Sequence, residues 1–220
     1  MSDQQAVADV ASVADVELRA RLQFETFFAD VTSRFLQVPA ERLPPEIDRA
    51  LAELVAVLDV DRATIGLFTP DHRALLATNS AARSPTQRQA AGFDFAAALP
   101  WYTEQVRRGR RLVLNFVDHE LPPEAEAEMR FVAESGIASH TMLPLVVAGE
   151  ILGALGVATF RRPRDWPPEF LGRLELLASA FAHAFYRQRS EARLREANQA
   201  LERSLAEVRE LKDRLEAENV

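Results

Sequence analysis

Few side chains in this sequence are of types that do chemistry, and their spacing narrows the choice further. There are four histidines, His72, His119, His140 and His183, and no cysteine. Without cysteine there are no disulfides, thiolate metal sites or thiol nucleophiles. No histidine stands at a metal-ligand spacing from another histidine or a carboxylate on one helix face, so no metal site is expected. No Gly-x-Ser-x-Gly elbow or zinc-protease motif occurs. The phosphate-binding Gly-x-x-x-x-Gly-Lys-Ser/Thr loop is missing too, since the single lysine, Lys212, has no glycine near it. No catalytic residue and no cofactor is expected, which leaves binding chemistry. His140 and Met142 alternate along an apolar stretch and so share one face of a strand. His119 follows Asp118 in a loop. Asn79 offers a polar group on another strand, although an exposed strand position explains it equally well. Phe93, Phe95, Trp101 and Phe116 would supply the apolar wall that surrounds the few polar groups of a ligand site. These eight residues form the expected ligand-binding set. His72 falls in a turn and reads as solvated. Glu124, Glu126 and Glu128 suit the N-terminal end of a helix dipole rather than catalysis.

The elements that must position these groups follow from periodicity and breakers. Residues 1–14 are small and polar and read as a flexible or loosely helical N-terminus. A helix is clear from about Asp15, because Phe24, Phe27, Phe28, Val31 and Phe35 form one stripe. Pro39 ends it. Pro44-Pro45 opens a second helix carrying Ile47, Leu51, Leu54, Val55 and Leu58. Strands are expected over residues 62–69 and 75–81, joined by the turn Pro70-Asp71-His72. Residues 82–98 show no period. A short helix follows from Leu99 to Gly109, then a strand over 111–117, then a helix from Pro122-Pro123 with Gly136 just past its end. Leu143–Val147 and Ile151–Ala158 read as a hairpin closed at Ala148-Gly149-Glu150, with Gly149 supplying a positive φ. Gly153 and Gly156 leave room for another element to come close. Pro144 cannot donate to a ladder, which points to a bulge. From Glu169 onward no helix breaker occurs. The 220 residues suffice for one domain plus an extension. A net charge of −7 gives no electrostatic case for nucleic-acid binding. No apolar run approaches the roughly 20 residues of a membrane span, and the N-terminus lacks a secretory pattern, so the expected location is the cytoplasm.

The hairpin resembles the signature of GAF domains, a family of small-molecule-sensing modules, through Pro144, Leu145, Gly149, Gly153, Leu155 and Phe160. The order of elements and the segment from Trp166 to Ala178 are similar to that family as well. The resemblance spans about residues 20–190 and implies an α+β GAF fold. Its antiparallel central sheet would have five to six strands with helices on both faces. The first, second and last helices would cover one face, and a ligand pocket would lie on the other, under the irregular middle segment. The cyclic-nucleotide motif of some relatives is not met, and thiol-linked chromophores are excluded.

Beyond the domain, taken as residues 15–190, Leu194, Leu201, Val208 and Leu215 recur every seven residues. Ala197, Ser204 and Leu211 follow three later in each heptad, which makes a coiled-coil seam. Extended backward, the seam runs through Leu176, Ala180 and His183, opposite the Phe170/Leu174/Phe181 face. A homodimer through the C-terminal helix is expected, with small and polar seam residues easing a shift of register. The residues after His183 do not match the phospho-accepting pattern of histidine kinases. Residues 191–220 are expected to be a coiled-coil linker to an output domain that the sequence does not contain. Leu211, Lys212, Leu215, Glu218 and Asn219 resemble the linker before the ATPase of sigma-54-dependent transcriptional activators. The sensor region of a GAF-containing histidine kinase and a ligand-free dimerisation module are the alternatives. The effector is an unnamed small molecule, and no nucleic acid or membrane partner is expected.

Overall fold

Long apolar stripes on three helices need one sheet face to cover them, and the architecture follows from that need. A computed structural model describes the backbone of residues 2–218, and the side chains of residues 18–212, 214 and 217 except residue 118. Helix α1 (Ser2–Gln37) includes the segment expected to be loosely helical. Helix α2 (Leu43–Val57) has proline in its first turn, as anticipated. Strands β1 (Arg62–Phe68) and β2 (Leu75–Ala82) follow as an antiparallel hairpin. The aperiodic middle holds a 3-10 turn (Pro85–Gln87) and two short helices, α3 (Phe95–Ala98) and α4 (Pro100–Arg107). Then come β3 (Leu112–Leu114), α5 (Val117–Glu120) and α6 (Glu126–Ser135). Strands β4 (Ser139–Val147) and β5 (Glu150–Thr159) form the central hairpin, and α7 (Pro168–Glu218) closes the chain.

The five strands are antiparallel in the order β2-β1-β5-β4-β3. Alternation sorts their side chains between two faces. Ala63, Ile65, Leu143, Leu145, Leu155 and Val157 join Phe24, Val31, Leu51, Leu54, Leu174 and Phe181 in the main core, so α1, α2 and α7 share one face. Each large apolar side chain buried there contributes about 1.5–3 kcal/mol. Strand β3 is shorter than the sequence suggests because Asn115 leaves the ladder. Its N–H donates to Glu120 Oε2, its carbonyl accepts from the Ser139 hydroxyl, and its Oδ1 accepts the Trp166 N–H. Helix α6 starts four residues after Pro122 rather than at it, and ends on Gly136 in the left-handed conformation (φ 70°). The register shift expected near Pro144 falls between Leu145 and Val146.

The β4–β5 turn has positive φ at both central residues, 51° at Ala148 and 80° at Gly149. That is the twist-matched hairpin geometry, in which a non-glycine residue at the first position is strained. Ala148→Gly should therefore raise stability by about 0.5–1 kcal/mol after the entropic cost of glycine is set against the strain, as a shift of the urea midpoint at constant slope would show.

Helix α7 is the longest element, about 75 Å from end to end at 1.5 Å per residue. Its first part is buried through Phe170, Leu174, Leu177 and Phe181. Leaving the domain, it is held by Arg189 on Glu150 at 2.6 Å and by Arg195 on Glu41. Arg187 donates to the carbonyls of Leu36 and Val38, where a cation suits the end of α1. Beyond that, Leu194, Leu201, Val208 and Leu211 are each more than half exposed. Leu176 and His183 are also exposed and Ala180 is half-buried, on the side of α7 away from Phe181. Leu215 lies outside the described side chains. Among the described residues no helix is long and apolar enough to cross a membrane.

Candidate ligand pocket

The opposite face of the sheet carries a pocket. Its floor is the set of positions that alternation turns away from the main core: Arg62, Thr64 and Gly66 on β1, His140 on β4, and Ala154, Gly156 and Ala158 on β5. Its cover is the middle of the chain, with Phe95, Leu99, Trp101 and Tyr102 on one side and Val117, Leu121, Glu128, Phe131 and Val132 on the other. The cavity volume is about 70 Å³. At roughly 10–15 Å³ per water this is room for about five to seven waters or a compact organic molecule.

Local chemistry holds this cover in place. Asp94 accepts N–H groups from Ala96 and Ala97, capping α3, and from Leu75 at the start of β2. Phe95 is thereby pinned over Gly66, whose missing side chain leaves only 3.3 Å between an added Cβ and the Phe95 ring. Glu128 is buried, and its Oε1 accepts the Tyr102 N–H at 3.1 Å, a remote cap for the first turn of α4. Gly156 makes room for His140 and Tyr102, because a Cβ there would lie 3.0 Å from the imidazole Cε1 and 3.5 Å from the phenol oxygen. A chain of rings results: Phe131–Phe93, Phe93–Phe95, Phe95–Tyr102 and Tyr102–His140, with centroids 5.1–6.0 Å apart.

The polar groups are few and strongly perturbed. Burial pushes the Arg62 guanidinium down to about 10, against a smaller upward pull from Tyr102. Burial also raises the Tyr102 phenol well above its ordinary value, with Arg62 drawing it partly back. His140 is pushed down to about 3 by burial first and by the Arg62 cation second, a backbone hydrogen bond at Val157 acting the other way. It is therefore neutral at pH 7, and its Nδ1 is buried without a partner. The unfolded chain binds a proton at this residue below about pH 6.5 and the folded chain does not until about pH 3. Stability must then fall as pH drops through that window. Between pH 7 and pH 5 the wild type should lose about 2 kcal/mol more than His140→Gln, measured by urea unfolding at each pH.

Of the eight residues expected to bind a ligand, the structure brings Phe95, Trp101 and His140 to the pocket. Phe93 packs behind it on Phe95 and Phe131. Met142 shares the His140 face but is fully buried with Leu75, Val106 and Ala154. Phe116 and His119 are exposed outside the cavity, at the entrance to and within α5. Asn79 lies on the helix-covered side, where its amide donates to Asp48 Oδ1 at 2.8 Å. It pairs with Ile65, and the irregularity after Ile65 lets Ala77 rather than Thr78 pair with Gly66. The polar pocket groups that the sequence reading missed are Arg62, Thr64, Tyr102 and Glu128. A period-two reading from Arg62 would have set Arg62, Thr64 and Gly66 opposite Ala63 and Ile65. The inward turn of Glu128 left no such signal. Among the described residues no group of three or more His, Asp or Glu side chains is arranged to hold a metal.

Comparison with known proteins agrees with this geometry. The phycocyanobilin-bound GAF domain of a cyanobacterial phytochrome superposes with a TM-score of 0.65 at 19% identity, covering 76% of this chain and 96% of that one. The GAF domain of the Acinetobacter phosphoenolpyruvate-protein phosphotransferase gives 0.56 at 15% identity, covering 76% and 97%. That of the Coxiella burnetii phosphoenolpyruvate-protein phosphotransferase gives 0.59 at 15%, covering 78% and 97%. These similarities show the fold. No curated protein sequence matches at a significant level. The GAF domain model matches residues 43–185, most of the chain and all five strands of the sheet. With a sheet, helix layer and pocket of that kind in place, the chain belongs to the GAF family of small-molecule-sensing regulatory domains.

Proposed function

We propose that the pocket binds a small effector and that α7 carries the resulting change, as half of a parallel dimer, to an output module. The observation that carries this reading is the double character of one unbroken helix. Phe170, Leu174, Leu177 and Phe181 of α7 are buried against the sheet, while Leu194, Leu201, Val208 and Leu211 are exposed at heptad spacing. A second copy would cover that stripe. Strand β4 offers the route between pocket and helix. His140 lines the cavity, and Leu143, Leu145 and Val147 on the same strand's other face join the α7 core. A small shift of β4 would tilt or rotate α7, and a seam weakened by Ala180, His183 and Ala197 would let the dimer adopt a second register.

The output is the regulation of sigma-54-dependent transcription, which the likeness of residues 211–219 to that linker supports. A histidine kinase output is the other reading consistent with the rod. A ligand-free dimerisation role is disfavoured by the unpartnered polar atoms around the pocket. Sedimentation equilibrium tests the dimer: wild type should be dimeric at micromolar concentration, and Leu201→Asp with Val208→Asp should be monomeric with an unchanged domain Tm. A monomeric wild type would remove the transmission role.

A further inference from the structure

The chemical class of the effector can be read from one side chain, an inference that rests on the pocket being the sensing site. Arg62 lines the cavity from the first position of β1. A guanidinium has five N–H donors, and Arg62 is half-buried, so a donor turned into the cavity needs a partner there. Among the described residues Arg62 forms no ion pair. Its partners are a single carbonyl, Gln87 O at 3.2 Å, and the face of the Phe160 ring, 5.0 Å from its central carbon. By contrast Arg34, Arg83 and Arg161 each meet carboxylates. Glu128 does not play this part: it forms no ion pair with Arg62, its Oε1 serves the start of α4, and its Oε2 is buried without a partner.

The rest of the cavity sharpens the reading. Beside Arg62 stands neutral His140, whose Nδ1 is buried without a partner. Being neutral, it leaves Arg62 as the one cation among the described lining residues. Most other lining groups are apolar, including Leu75, Phe95, Leu114 and Val132. We propose that the effector is a compact monocarboxylic acid. Its carboxylate would pair with the Arg62 guanidinium, and its short hydrocarbon body would fill the apolar part of the cavity. The planar fork of arginine matches a carboxylate in two parallel hydrogen bonds. The volume favours an acid of about five to seven heavy atoms, so butyrate is the natural probe.

The test uses the full chain and thermal unfolding at fixed ionic strength. Sodium butyrate should raise the wild-type Tm in a saturable way. Butyramide, butylamine and inorganic phosphate should not. Arg62→Gln should weaken butyrate binding at least about tenfold, while Arg110→Gln, an exposed arginine outside the pocket, should bind as wild type. Equal shifts from butyramide and butyrate would overturn the assignment of an acid while leaving a ligand-binding pocket. Failure of every acid from acetate to hexanoate would overturn it as well. The sensor reading itself would fail only if neutral and cationic molecules also left the Tm unmoved. If Arg62→Gln does not fold, the comparison of acid with amide on the wild type still decides the matter.

Discussion

Gly153→Ala should cost about 3–5 kcal/mol and in the worst case prevent folding. A Cβ at this position would lie 1.9 Å from the Gly66 carbonyl oxygen and 2.9 Å from Leu67 Cα. The obstacle is backbone, so no side-chain rotation relieves it. Strands β1 and β5 would have to part where Gly66 pairs with Ala154 and Leu67 with Gly153, in the middle of the sheet. Ladder hydrogen bonds and the packing of Ile65 and Leu155 would be lost together, which is why the cost exceeds the 1–3 kcal/mol usual for overpacking. The damage also reaches the pocket, because Gly66 is part of its floor. Gly172 in α7 is the control. Nothing lies within 4 Å of a Cβ there, so Gly172→Ala should stabilise by about 0.5–1 kcal/mol through helix propensity. Urea unfolding followed by tryptophan fluorescence would separate the two.

Asp61→Asn should be the second large effect, about 3 kcal/mol at neutral pH. Asp61 is 1% exposed and ties the start of β1 to the end of β5. Its carboxylate accepts the Phe160 N–H at 2.8 Å, the Arg161 N–H at 3.3 Å and the Arg161 guanidinium at 2.7 Å. Burial pushes this carboxyl up, but the two backbone donors and the Arg161 cation together outweigh it and hold it below the ordinary range. A folded value below the unfolded one means that the stability it contributes is complete above the unfolded value of about 3.9 and is lost as pH falls through the folded one. The gap between wild type and Asp61→Asn should therefore be constant from pH 7 to pH 5 and close below pH 4. A gap of under 0.5 kcal/mol at pH 7 would mean that this carboxylate is not a tie between the strands.

The fold was legible because its signals are local and repeated. The Phe24/Phe27/Val31/Phe35 stripe, the Leu-Val-Ile runs of the hairpin and the prolines and glycines between them each specify an element and its buried face. Asn115 reads as strand because nothing in the sequence shows that Glu120, Ser139 and Trp166 take its hydrogen bonds. The pocket was less legible. His140 followed from alternation, and Phe95 and Trp101 from their place in an aperiodic middle segment. Asn79 lies on the helix-covered side of the sheet because of an irregularity that depends on how β1 and β2 pair. Glu128 looked like one of three helix-opening acids, and only the packing of α4 on α6 turns it inward. Arg62 was hidden by its type, since arginine at a strand end is usually solvated.

The account depends most on α7 meeting a second copy of itself along one stripe, in parallel. Because the chain has no cysteine, single-cysteine variants report this without background. In a parallel, in-register pair, identical seam positions face each other. Under mild oxidation, Leu194→Cys and Leu201→Cys should each give a disulfide-linked dimer in high yield, and Gln199→Cys, off the seam, should give little. Equal yields at all three positions, or no linked dimer at any, would contradict the account.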